Sequence, residues 1–167
     1  MIEEFTGDTA LERLRELIKN IDVCMMTTCL TNGQLRSRPM SSNGDVDTDG
    51  TVWFFASKGS PKVDELVENP EVNLSFSDPK KSIYVSISGK AEIITERETL
   101  ERHWKPELKA WFPKGLDEEG ISLLKVSLQA GNYWETQGNF ITHSLSFAKA
   151  LLTGTPYESG QHGTVTN

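Results

Sequence analysis

The chain has 167 residues, 25% charged and 37% hydrophobic, with a formal net charge of −7. That size suits one domain with a proper core, and no apolar run approaches membrane-spanning length. The acidic balance argues against a general nucleic-acid or anionic-membrane surface. The start Met1-Ile2-Glu3-Glu4-Phe5 lacks the basic-then-apolar order of a secretory signal, so a cytoplasmic location is expected.

Thr9-Ala10-Leu11-Glu12 has the form of a capping box. Leu11, Leu14, Leu17 and Ile18 follow at helical spacing, predicting a helix over 9–20. Strands are expected over 23–30 and 34–40, joined by the hairpin signal Asn32-Gly33. Residues 41–50 are rich in Asn, Asp and Gly and read as a loop. A strand over 51–57 then runs into a helix over 61–68. Ser60 is a suitable N-cap and Pro61 a suitable first helical residue. Val63, Leu66 and Val67 form the apolar stripe of that helix, and Asn69-Pro70 stops it.

Val72, Leu74 and Phe76 alternate with polar residues as a half-buried strand, and Asp78-Pro79-Lys80-Lys81 makes a turn. A long strand follows from Ile83 to Thr95, with Gly89 marking a bulge. Thr95-Glu96-Arg97-Glu98 is a second capping box, and Pro106 breaks the helix it starts. A short second helix carries Leu108, Trp111 and Phe112, which with Trp104 read as a packing surface rather than a binding cage. Strands over 121–135 and 139–144 flank a turn at Gln137-Gly138, and a short apolar helix covers 145–152. Residues 1–154 are expected to form one domain. Residues 155–167 are expected to form a polar tail, disordered or weakly docked. Mostly antiparallel strands with helices at the ends and between predict a mainly β, α+β fold, a small closed barrel with peripheral helices.

Cys24 and Cys29 lie on one strand at a spacing that puts them on opposite faces, which disfavours a disulfide between them. His103, His143 and His162 are scattered, and none reads as a metal ligand.

One stretch concentrates polar chemistry. The strand–helix junction at 53–62 offers the hydroxyls of Ser57 and Ser60, the flexible Gly59, the Lys62 ammonium and the free N–H groups of a helix start. That set suits a phosphate. Taken alone, most Ser-Pro helix starts bind nothing. Just upstream stand Arg36-Ser37-Arg38-Pro39-Met40, and far downstream Tyr133-Trp134-Glu135. Arg36 and Arg38 share a strand face and are either solvated surface charges or anion contacts. A tryptophan in the position of Trp134 is more often core or dimer packing than a ligand contact. No paired carboxylates, Ser/His/Asp set or Cys/His pair points to hydrolysis.

In order and spacing, these three motifs resemble the FMN-binding split-barrel family related to pyridoxamine 5′-phosphate oxidase, and within it the general stress protein subfamily. The resemblance covers roughly residues 8–153. It implies a split β-barrel, an FMN cofactor and a homodimer with cofactor sites at the interface. It implies that Arg36, Ser37, Arg38, Pro39 and Met40 line the flavin, with Arg38 favoured as the phosphate contact. By the same resemblance Ser57, Ser60 and Lys62 hold the phosphate, while the backbone at Phe55 and Ala56 meets the ribityl chain and ring. Trp134 and Ser86 would approach from the second subunit. Family members often carry Thr where this chain has Ala56, so that hydroxyl is absent. The Arg- and Pro-rich terminal segment of the authentic oxidases is replaced here by Ser159-Gly160-Gln161-His162-Gly163, which argues against vitamin B6 oxidation. The expected function is oxidoreduction of a small substrate. The alternatives are a non-catalytic flavin carrier or sensor, and a reductase using the deazaflavin F420.

Overall fold

The structure, a computed structural model, describes residues 4–5, 7–135 and 161–166. The predicted turn at 137–138, strand at 139–144 and helix at 145–152 lie outside the described residues, as does His143. The elements in chain order are β1 (Glu4–Phe5), α1 (Gly7–Lys19), β2 (Val23–Cys29), β3 (Leu35–Ser41), β4 (Val52–Ser57), α2 (Pro61–Glu68), β5 (Glu71–Asp78), β6 (Ile83–Ile94) and α3 (Arg97–His103). Two 3-10 turns follow at Pro106–Ala110 and Gly115–Asp117, then β7 (Ile121–Glu135) and β8 (Gln161–Thr166). No described helix is long and apolar enough to cross a membrane.

The strands form one sheet in the order β1-β8-β7-β6-β5-β2-β3, with β4 paired to the first half of β7. Every pairing is antiparallel except the short β1–β8 contact. The alternation read in the sequence sets which side faces in. Met26, Leu74, Phe76, Ile87, Phe54 and Tyr133 are fully buried inside the curled sheet, and α1 adds Ala10, Leu14, Leu17 and Ile18. The predicted bulge is present as a register shift between Ser88 and Gly89. A side chain at Gly89 would collide with the carbonyl oxygen of Ser127, so only glycine lets the two backbones approach there.

The tail expected to be disordered or weakly docked supplies β8, which lies antiparallel along the end of β7. Gly163 makes this possible, because any Cβ there would enter the Tyr133 ring. The sequence cue, an isolated glycine in a polar segment, is too weak to predict a strand.

Residues 97–118 make an excursion over the outer face of β4 and β7. Leu100, Leu108, Phe112, Ile121 and Leu123 form a second small core there, with Phe55 and Trp104 packed edge to face at 5.5 Å. This second cover explains why β7 opens with four buried residues in a row, Ile121 to Leu124. Polar clasps hold the excursion in place. His103 Nδ1 lies 2.8 Å from Asp45 Oδ2, with its ring stacked on Trp53. Lys105 Nζ donates to the Asn43 carbonyl at 2.6 Å. Neither α2 nor α3 carries the side-chain cap that the sequence suggests. The Ser60 hydroxyl instead donates to the Ser57 carbonyl at 2.7 Å.

The other face of the sheet has an unusual composition. One cross-strand row reads Pro39, Met25, Ser75, Ser86, Asn132, Thr164. The row on one side is Ser37, Thr27, Asn73, Ser88, Ala130, Thr166. On the other side, Ser77, Tyr84, Trp134 and His162 are in register, with Ser41 and Val23 beyond them. The pairings add one charged residue to these rows, Glu4 of β1, in register with His162 at the edge; the others are not Asp, Glu, Lys or Arg, in a chain where a quarter of all residues are. Val23, Met25, Tyr84 and Trp134 are nonetheless between 42% and 53% exposed.

Candidate functional site

The hydrogen-bond ladder stops between β3 and β4. β3 pairs with β2, and β4 pairs with β7. The gap between the two strands is a cleft of about 330 Å³. Pro39, Met40 and Ser41 line one side, and Phe55, Ala56 and Ser57 the other. Lys62, on the first turn of α2, closes one part of the wall, and Leu108, Trp111 and Phe112 of the excursion close another.

Six of the residues singled out in the sequence therefore meet: Pro39, Met40, Phe55, Ala56, Ser57 and Lys62. Lys62 is the sole charged residue in the described lining, and it forms no ion pair among the described residues. Burial holds its ammonium below the usual lysine range; the Arg38 charge pushes the same way and Glu65 opposes. A half-buried ammonium with no ion pair among the described residues, beside a serine and a helix start, has the chemistry to receive an anion.

Arg36 and Arg38 do share a face, as their spacing requires, but they turn toward α2 and not into this cleft. Arg36 Nη1 lies 2.6 Å from Glu65 Oε1, and Arg38 Nη2 lies 2.6 Å from Glu65 Oε2. Thr28, fully buried on β2, donates to the same carboxylate at 2.6 Å and accepts from Arg38 Nη1 at 2.8 Å. Burial pushes the Glu65 carboxyl up. The hydrogen bonds from Thr28 and Arg38 and the charges of Arg38 and Arg36 outweigh it and hold the group below the usual glutamate range. Glu65 was not singled out in the sequence. The expected stripe of α2 included Val67, which is 71% exposed, whereas Glu65 is 8% exposed. The signal that could have found it is the need for a buried counter-charge beside two arginines on one strand face.

The remaining residues singled out lie elsewhere. The Ser37 hydroxyl pairs with that of Thr27 at 2.6 Å on the charge-poor face. Ser86, on the same face, receives a hydrogen bond from Asn73 at 2.9 Å. Ser60 holds the Ser57 carbonyl and does not line the cleft. Trp134 follows Ser122, the partner of Ala56, by twelve residues of β7, roughly 40 Å of strand. It is not among the residues that line the cleft. Of the aromatic cluster read as a packing surface, Trp104 and Phe112 do pack, but Trp111 is 63% exposed at the rim of the cleft.

A larger cleft of about 450 Å³ lies beside the end of α1, lined by charges of both signs including Arg13, Glu16 and Asp78. It gathers none of the residues picked from the sequence. Among the described residues no group of His, Cys, Asp or Glu could hold a metal ion. Both cysteines are free, and burial pushes the Cys24 thiol up to about 12.

Residues 9–158 match the model of the family described as "Pyridoxamine 5'-phosphate oxidase like". The chain belongs to this family. Protein bli-3 of Neurospora crassa is 26% identical over 162 residues, covering 89% of this chain and 76% of that protein. Among solved structures, a protein described as general stress protein 26, from Jannaschia sp. CCS1, is 26% identical with a TM-score of 0.75. The match covers 96% of this chain and all of the other. A protein described as a general stress FMN/FAD binding protein, from Xanthomonas citri, is 23% identical with a TM-score of 0.68, over 80% of this chain and 94% of that one. The family's split barrel is thus the fold of this chain, and the split is the gap between β3 and β4.

Proposed function

We propose that this chain binds FMN in the β3–β4 cleft of a homodimer and carries electrons between a reduced nicotinamide and a small acceptor. One observation carries the reading: the cleft opens where the sheet is split, and Lys62 is the one charge in its described lining. The relative whose name includes FMN/FAD binding supports a flavin.

The residues present fit that cofactor. Lys62, Ser57 and the N–H groups at the start of α2 would hold a terminal phosphate. Around them stand three cations, Lys62, Arg36 and Arg38, against the buried carboxylate of Glu65. The strand edges at Pro39–Ser41 and Phe55–Ala56 would flank a flat ring, with Met40, Phe55 and Phe112 as apolar cover. Bound FMN supplies the redox chemistry itself. The chain's own residues bind the phosphate, orient the ring and exclude water.

The charge-poor sheet face supports the dimer. Interface cores are depleted of charge and enriched in Tyr, Trp and Met. A two-fold axis parallel to the strands, between β5 and β6, sets β8 of one copy over β3 of its partner and β7 over the partner's β2. Trp134 then stands one strand from the partner's Pro39–Ser41, with His162 over that segment. Release of the bound cofactor from purified protein, with its absorption spectrum and mass, tests the reading. FMN is expected, and a deazaflavin spectrum would favour the F420 alternative.

A further inference from the structure

Trp134 and His162 are cross-strand neighbours in register, on β7 and β8, with ring centroids 5.2 Å apart and planes 27° from parallel. Both rings stand on the outer face, in one row with Tyr84, and Glu4 of β1 is in register with His162 on its other side. Whatever receives the Trp134 ring on that face therefore also receives the imidazole. The polar side chains in the described lining of the cleft are Lys62, Ser41, Ser57 and the indole of Trp111, with no imidazole or carboxylate.

We propose that His162 is a contact residue of the partner copy's cleft, delivered beside Trp134. The inference rests on the homodimer reading above. The two-fold arrangement described there keeps each cross-strand row over itself, so the row holding Trp134 and His162 lies over the row holding Ser41, a lining residue of the partner's cleft. The imidazole brings an aromatic face and a nitrogen that donates or accepts, which suits a flat heteroaromatic ring with carbonyl edges. Gly163 fixes the placement: the missing side chain seats β8 against Tyr133 and orients the neighbouring His162 to the opposite, outer face. Packing of a histidine on the tryptophan of the neighbouring strand is the competing account.

Complementation between copies separates the two. In a mixed dimer of a Lys62→Ala chain and a His162→Ala chain, contribution across the interface leaves one cleft with both groups intact and one with neither. Contribution within a chain leaves no intact cleft. The expected result is wild-type FMN affinity at one site per mixed dimer, while each variant homodimer is weakened, His162→Ala by roughly two- to tenfold. His162→Gln controls for loss of shape. The imidazole signal of His162, assigned by that variant among three histidines, should shift on FMN addition while that of His103 stays in place. FMN bound with the His162 signal unmoved and His162→Ala unweakened would overturn the proposal and leave FMN binding standing. A protein without FMN affinity would overturn both.

Discussion

Arg38 places Nη2 2.6 Å from Glu65 Oε2 and Nη1 2.8 Å from the buried Thr28 hydroxyl. The residue favoured in the sequence as a phosphate contact thus spends donors inside the protein. It ties α2 to β2 and β3, which helps to place Lys62, and its charge also acts on the Lys62 ammonium.

Glu65→Gln should cost about 3 kcal/mol at neutral pH, because it removes the charge that two guanidiniums surround. The folded-state pKa of Glu65 lies below its ordinary 4.5, so this stabilisation is complete above that value and lost as pH falls through the folded-state one. Urea midpoints of wild type and variant should converge in acid. A gap that stays constant to strongly acidic pH would count against the network.

Lys62→Ala should weaken FMN by roughly 10- to 100-fold and riboflavin little, since one charge-assisted contact to phosphate is lost. Calorimetric titration with both ligands reads the ratio. In the wild type, the preference for FMN should fade as pH rises through the lowered Lys62 value, beginning below the ordinary 10.5. Equal loss of both ligands would place the phosphate elsewhere.

Gly163→Ala puts a methyl group into the Tyr133 ring and should cost about 1–3 kcal/mol by overpacking. Amide exchange in β8 should accelerate before exchange in β5 and β6 does. Unchanged protection at 162–166 would show that β8 does not seat on Tyr133.

Anaerobic mixing of the FMN-loaded protein with NADH or NADPH should bleach the flavin band. Reduction by dithionite alone would favour the carrier or sensor.

Sedimentation of the FMN-bound protein at low micromolar concentration should give a dimer that loses FMN as it dissociates. A monomer that keeps FMN fully bound would exclude a shared site.

Local patterns made most of the fold legible. The hairpin signal Asn32-Gly33 placed β2 and β3, and alternation placed β4 to β7, within a residue or two, because a half-buried strand must present every second side chain to the core. Pro61 and Asn69-Pro70 fixed α2, and Gly89 marked its bulge, since each acts through its own backbone. The caps at Ser60 and Thr95 did not form as read: a hydroxyl has several nearby acceptors and the choice among them is tertiary.

The sequence by itself determined the strand order along the chain, the hairpin, the strand–helix junction and most of the residues that meet at the cleft. Tertiary structure alone decided that Arg36 and Arg38 turn to Glu65 while Lys62 has no ion pair among the described residues, that Trp111 joins the cleft, and that Trp134 stands with His162 on the outer face. The reason is physical. Periodicity reports which side of an element is buried, but not which distant element buries it, and charge pairing and burial depend on that partner.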